Sequence, residues 1–151
     1  MGYATLNLEN PVFRQFIGYA ALVLVKTCLM SSITAYYRIT RKAFINEEDT
    51  ASFGKKLQVV LNNPQVERVR RCHLNDLENV IPFVLLGLLY VATGPNQAAA
   101  SLHFRIFTIS RYIHTFVYLL VVPQPARALA FAAGLFVNIS MVYSILSQAS
   151  F

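Results

Sequence analysis

The stretch Glu67-Arg-Val-Arg-Arg-Cys-His-Leu-Asn-Asp-Leu-Glu-Asn79 runs directly into Val80-Ile-Pro-Phe-Val-Leu-Leu-Gly-Leu-Leu-Tyr-Val-Ala92. The second half is apolar enough to lie in a bilayer, whereas the first half places arginines, an asparagine and carboxylates on the turns that enter it. Ionisable groups in such a position are costly unless they face a protected cavity and have partners. The stretch therefore predicts a membrane helix whose polar entry turns form a functional site.

The composition indicates an integral membrane protein. Of the 151 residues, 56% are hydrophobic and 13% are charged, whereas a soluble domain usually has about a quarter charged residues. Four apolar segments approach the roughly 20 residues that a spanning helix needs, and the predicted spans are about 12–37, 73–92, 98–122 and 126–146. We therefore predict an all-α integral membrane protein with one domain, 1–151, folded as a four-helix transmembrane bundle with a loop at 38–72.

The distribution of charge predicts the orientation in the membrane. Segment 38–72, which includes Lys55 and Lys56, holds eight basic residues against four acids, whereas the connector 93–97 holds no charge. By the positive-inside rule the loop 38–72 is cytosolic. The net charge of +6 then reflects orientation and contact with anionic lipid headgroups, and no nucleic-acid partner is expected.

Polar residues form a stripe on the second predicted span. At about 100° per residue, one narrow face carries Arg68, Arg71, Asn75, Glu78 and Pro82. Three further polar residues fall outside that face: Arg70, His73 and Asp76. Lipid tails cannot solvate such a stripe, so it is expected to face another helix or a wetted pocket.

A second stripe runs along the third predicted span and consists of His103, Phe107, Arg111, His114 and Tyr118. The fourth span opens with Pro125-Ala-Arg127, and the amino end of a helix attracts anions. Arg38 ends the first span on the same predicted side of the membrane, and Lys26 lies near the middle of that span. Basic groups from several helices are therefore expected to meet near the cytosolic face.

These basic groups outnumber the acids available to them. Arg38, Arg71, Arg111 and Arg127 have only Glu78 and Asp76 as nearby acids, so the cluster is expected to bind an anion that the chain does not supply. Glutathione fits, with two carboxylates, one ammonium group and a thiol whose pKa falls beside a guanidinium and a helix amino end.

We predict Arg127 as the residue that stabilises the thiolate, and no metal, because the three histidines lack metal-site spacing. Other interpretations stay open. Arg71, Asn75 and Glu78 could form a structural ion cluster, and His114 and Tyr118 could make interhelical hydrogen bonds. Arg38, Arg41 and Lys42 could simply contact headgroups.

The motif from Glu67 to Phe83 resembles the signature of the MAPEG family, the membrane-associated proteins of eicosanoid and glutathione metabolism. Further similar stretches are Arg41-Lys-Ala-Phe44, Gly94-Pro95, Arg111-Tyr-Ile-His-Thr115 and Pro123-Gln-Pro-Ala-Arg-Ala-Leu129. The resemblance implies a homotrimer that binds glutathione between neighbouring subunits near the cytosolic face. By position it implies that the tripeptide contacts Arg38, Arg71, His73, Asn75, Glu78, Arg111 and Tyr118, to which the stripe adds His114, and that Arg127 stabilises the thiolate. His73 is included on the resemblance alone.

The resemblance further implies a microsomal-type glutathione transferase that conjugates lipophilic electrophiles and reduces lipid hydroperoxides. Its implied location is the endoplasmic reticulum, with the mitochondrial outer membrane as a second membrane, and the active site faces the cytosol. One alternative is an isomerase of the prostaglandin E synthase type. Ala128 and Leu74 replace a serine and an arginine of that type, whereas Asp49 is retained. Thr50 stands where the transferases carry a stress-sensing cysteine. The other alternative is a non-catalytic, lipid-binding membrane scaffold.

Overall fold

The computed structural model describes residues 5–54 and 57–150. In this part of the chain the regular secondary structure is entirely helical, with five helices: α1 (Pro11–Arg41), α2 (Glu47–Phe53), α3 (Pro64–Ala92), α4 (Gln97–Leu119) and α5 (Ala126–Leu146). The all-α class predicted from the sequence is therefore confirmed. Lys55 and Lys56, which belong to the predicted basic loop, lie outside the described residues.

The segment predicted as a loop at 38–72 is partly helical. It contains the end of α1, all of α2 and the first turns of α3, which begins at Pro64, so the span predicted over 73–92 is the later part of a longer helix. α3 starts early because the Asn63 side chain accepts hydrogen bonds from the backbone N–H groups of Gln65 and Val66 at 3.1 and 3.2 Å. Pro64 takes the first helical position, where a missing N–H is tolerated. The polar and apolar turns of the motif thus form one continuous helix.

Three of the described helices, α1, α3 and α5, are long and apolar enough to cross a membrane. α4, predicted as a span over 98–122, is not among them, because its arginines and histidines lower its mean hydropathy. One of those arginines, Arg111, is completely buried, so its charge does not face lipid. Large apolar side chains cover much of the outer surface. The chain is therefore an integral membrane protein, and the count of four spans stays a prediction.

Aromatic rings fill the core between α1, α3 and α4. The rings of Phe83 and Phe107 stack with their centroids 3.8 Å apart, and the Phe16 and Phe104 centroids are 5.4 Å apart. Gly87 permits close approach of α3 to α1, since a methyl group here would overlap the Phe16 ring. Small residues at helix contacts are typical of membrane bundles, where association depends on close packing. This core fixes the spacing of the helices that carry the polar turns.

Candidate functional site

A cavity of about 290 Å³ opens where α3, α4 and the start of α5 meet. Its lining combines polar and aromatic side chains from the three helices and from the turn before α5: Asn75, His114, Tyr118, Gln124, Arg127, Ala128 and Phe131. Four of these were predicted as site residues, namely Asn75, His114, Tyr118 and Arg127. The fold of a single chain therefore brings together side chains from three separate parts of the sequence.

Arg127 lies in the first turn of α5 and packs against an aromatic ring. The guanidinium carbon of Arg127 is 4.8 Å from the centroid of the Tyr118 ring, a cation–π geometry. Tyr118 in turn contacts His114, with ring centroids 5.6 Å apart. The amino end of a helix adds partial positive charge, and no carboxylate of the described residues forms a salt bridge with Arg127. This corner of the cavity is therefore positively charged.

Arg111, predicted to contact glutathione, is not among the residues that line the cavity. It is completely buried behind the wall, where its Nη2 donates hydrogen bonds to Asn75 Oδ1 and Asp76 Oδ1, each at 2.8 Å. The same Nη2 lies 3.3 Å from His114 Nδ1. Asp76, one of the two acids expected near the four arginines, forms a salt bridge with Arg111 and another with Lys26, so Arg111 is paired within the chain.

Sequence reasoning missed the partnership of Lys26 with Asp76. The two side chains form a buried salt bridge between α1 and α3, and Lys26 Nζ also donates a hydrogen bond to Thr115 Oγ1 at 2.8 Å. A lone lysine within an apolar span requires a counter-charge, and this signal was present. The polar stripe on α3 correctly left Asp76 off the face that borders the cavity. The helical period, however, gives no indication that Asp76 contacts α1.

The remaining predicted residues lie elsewhere on the single chain. Arg71 and Glu78 are exposed on α3, and the Glu78 carboxylate forms no salt bridge with any described residue. His73 lines a different depression of about 260 Å³ beside α1. Arg38 is half-buried near the end of α1 and donates a hydrogen bond to the carbonyl of Ala43 at 3.4 Å. One chain therefore assembles part of the predicted site.

An apolar groove of about 380 Å³ lies between α4 and α5. Isoleucines of α4 and small or branched residues of α5 form most of its lining: Ile106, Ile109, Ile113, Ala126, Leu129, Ala130 and Ala133. The first turns of α5 separate this groove from the cavity, so Arg127 and Ala128 line one side and Ala126 and Leu129 the other. A polar cavity and an apolar groove thus share the start of one helix.

No group of three or more His, Cys, Asp or Glu side chains within residues 5–54 and 57–150 is arranged to hold a metal ion. The polar chemistry of the cavity is instead that of hydrogen-bond donors: a guanidinium, an imidazole, a phenol and two carboxamides. These groups are suited to binding an anion with several acceptor oxygens.

Comparison with known proteins identifies the family. Residues 16–147 match the model of the MAPEG family. The chain is 50% identical to microsomal glutathione S-transferase 1 of Sus scrofa, over 98% of this chain and 97% of that protein. It is 49% identical to the Homo sapiens protein of the same name, over 95% of each chain. Prostaglandin E synthase of Bos taurus is 36% identical, over 95% of this chain and 93% of its own. The chain therefore belongs to the MAPEG family, which confirms the resemblance seen in its sequence.

Proposed function

We propose that the protein is a membrane-bound glutathione transferase that joins the glutathione thiolate to lipophilic electrophiles. The observation that carries the proposal is the position of Arg127, which lies at the amino end of α5 beside a cavity lined by hydrogen-bond donors. Half of the residues are identical to those of transferases that bear this activity in their name.

The proposed chemistry starts from the thiol of glutathione, whose ordinary pKa is about 8.5. The Arg127 guanidinium and the partial charge of the helix end favour the thiolate, which is the nucleophilic form. With a chloronitroarene, the sulfur bonds to the ring carbon and chloride leaves. With a lipid hydroperoxide, the thiolate attacks the peroxide oxygen and releases an alcohol, and a second glutathione then yields the disulfide and water. Glutathione is a co-substrate here, and no metal takes part in the proposal.

We propose that a neighbouring copy in a homotrimer completes the glutathione site. Arg71 and Glu78 support this, because both are exposed on a helix that is apolar enough to cross a membrane, where charges normally face protein or a wetted cavity. The cavity volume of about 290 Å³ is also just below the range of small-molecule sites, about 300–1,000 Å³. Arg38 and His73 reach glutathione, on this proposal, only from an adjacent subunit or through rearrangement.

The lipophilic electrophile is proposed to enter from the bilayer through the apolar groove between α4 and α5. The groove opens on the outer surface of the helices and ends beside the first turn of α5. An apolar substrate dissolved in lipid reaches it without crossing water. The thiolate, held on the other side of that turn, then meets a substrate that is already concentrated in the membrane.

We propose that the cavity faces the cytosol in the membrane of the endoplasmic reticulum. The carboxyl end of α1 and the amino end of α3 carry the basic residues of segment 38–72, and the positive-inside rule places such a segment in the cytosol. The word microsomal in the names of the relatives agrees with that membrane, and the mitochondrial outer membrane is the second proposed location.

The experiment that tests the function is conjugation of a chloronitroarene by the purified protein in detergent with glutathione. Arg127→Ala is expected to lower the turnover by about 100-fold or more. The matched control is Arg105→Ala, which removes another arginine, on the exposed face of α4, and is expected to retain activity. A wild-type protein without glutathione-dependent conjugation, or an Arg127→Ala variant as active as wild type, would overturn the proposal.

A second candidate function is glutathione-dependent isomerisation of an endoperoxide lipid, which the identity to prostaglandin E synthase favours. Conversion of an endoperoxide lipid without conjugation of the chloronitroarene would favour this second function. A protein that binds lipid but carries out neither reaction would instead be a non-catalytic scaffold.

A further inference from the structure

Asp76 lies behind the cavity wall, yet its carboxylate organises two side chains that form the wall. It is completely buried, its Oδ1 accepts a hydrogen bond from Arg111 Nη2 at 2.8 Å, and it forms a salt bridge with Lys26. We propose that Asp76 is a positioning residue of the glutathione site that acts through Arg111 on Asn75 and His114. This inference rests on the proposed function, because it concerns how the same cavity holds glutathione.

The hydrogens of Arg111 Nη2 determine which way the Asn75 amide faces. This nitrogen has two hydrogens, and the acceptors at 2.8 Å are Asp76 Oδ1 and Asn75 Oδ1. A guanidinium only donates, so the Asn75 atom facing it is the carbonyl oxygen. Asn75 is among the residues that line the cavity, so its NH₂ group is left to donate to an acceptor oxygen of the ligand.

The same guanidinium selects the tautomer of His114. The Nδ1 atom of His114 lies 3.3 Å from Arg111 Nη2, where it can only share a hydrogen already donated to Asn75 or Asp76. Since Nη2 has no lone pair to accept with, this contact suits an unprotonated ring nitrogen. A neutral His114 therefore carries its proton on Nε2 and is a donor there. Asp76 thus holds Arg111 in the position that leaves both wall residues with donors for an anionic ligand.

Lys26 allows the positioning role to be separated from a simple effect of charge. With Lys26, Arg111 and Asp76 charged, the cluster carries one positive charge in excess. Lys26→Met brings it to zero and keeps the Asp76–Arg111 pair. The double variant Lys26→Met/Asp76→Asn restores one positive charge but removes the anionic acceptor of Arg111. Asp76→Asn alone would leave two buried cations without a counter-charge, which is strongly destabilising, so it is not the test.

The test measures glutathione binding, thiolate absorbance at saturating glutathione, and kcat for intact protein in detergent. We expect Lys26→Met to bind glutathione within about threefold of wild type, and the double variant about tenfold or more weakly. The thiolate fraction at saturation is expected to stay close to wild type in both, because it depends on Arg127. A Kd of the double variant equal to that of wild type, or an equal loss in Lys26→Met, would overturn the proposal.

A second variant keeps the proposal testable if the double variant does not fold. Lys26→Met/Asp76→Glu has the same charge as Lys26→Met but moves the carboxylate by one methylene, and it is expected to raise the Kd above that of Lys26→Met. An unchanged Kd would contradict the role of Asp76. The proposed function fails separately, when wild-type protein neither binds glutathione nor conjugates it, whereas normal wild-type binding with unaffected variants overturns only the role of Asp76.

Discussion

Replacing Tyr118 by leucine is expected to weaken the positioning of the Arg127 guanidinium, the charge that stabilises the thiolate. The Arg127 guanidinium carbon lies 4.8 Å from the centroid of the Tyr118 ring, and such a contact contributes about 0.5–2 kcal/mol, more when it is desolvated. Both side chains are half-buried, so about 1 kcal/mol applies. Because 1.36 kcal/mol corresponds to a tenfold change, thiolate formation and the conjugation kcat are each expected to fall by about fivefold.

Tyr118→Phe is the matched control, since it keeps the ring beside Arg127 and removes only the hydroxyl group. The assay follows thiolate absorbance during titration with glutathione and then the conjugation kcat. Tyr118→Leu is expected to reduce the thiolate absorbance and the kcat by about fivefold. Tyr118→Phe keeps the ring and is expected to retain the part of each value that the ring contributes. Equal losses in the two variants would show that the hydroxyl group alone matters and would refute the proposed role of the ring.

Three other changes test separate parts of the structure. Glu78→Gln is expected to raise the Kd for glutathione by about tenfold, whereas Arg41→Ala should leave the Kd unchanged. Equal changes of the Kd in a glutathione titration would contradict the assigned face of α3. Gly87→Ala should lower the free energy of unfolding by about 1–3 kcal/mol through overpacking, whereas Gly18→Ala, at a position with open space around it, should not. Similar thermal unfolding midpoints for the two variants would contradict the close packing at Gly87. Ala133→Leu should fill the apolar groove and raise KM for the electrophile several-fold; a parallel change in glutathione Kd would argue against separate sites.

The class of the protein could be predicted from its sequence, because long apolar segments with few charges leave little choice but helices in a membrane. The 3.6-residue period predicted part of the cavity lining, although Arg111, on the same predicted face of α4, is buried behind the wall. It placed His114 and Tyr118 on one face of α4, and in the structure both line the cavity. Their contacts with glutathione remain a prediction, as do the homotrimer and the cytosolic orientation.

What the sequence did not reveal is how the helices pair with one another. A helical period states which residues share a face, but the partner of that face depends on tertiary packing. For this reason the Lys26–Asp76 salt bridge was missed, although a lysine in an apolar span predicts a partner. The sequence placed the polar turns from Glu67 on the same helix as the span, but polar side chains mark only the edge of the membrane. The start of α3 at Pro64 depends on its Asn63 cap.

The structure also changes the reasoning about charge that first pointed to an anion. Arg111 is one of four arginines for which the sequence offers two nearby acids, and one of those acids, Asp76, pairs with it behind the wall. Arg127 forms no salt bridge with any described residue and lies beside the open cavity. The two arginines therefore have different tasks, because Arg111 is buried and paired with a carboxylate that it shares with Lys26, whereas Arg127 faces the cavity directly. The attraction for an anion then comes mainly from Arg127 and the helix end, while Arg111 determines which donors the anion meets.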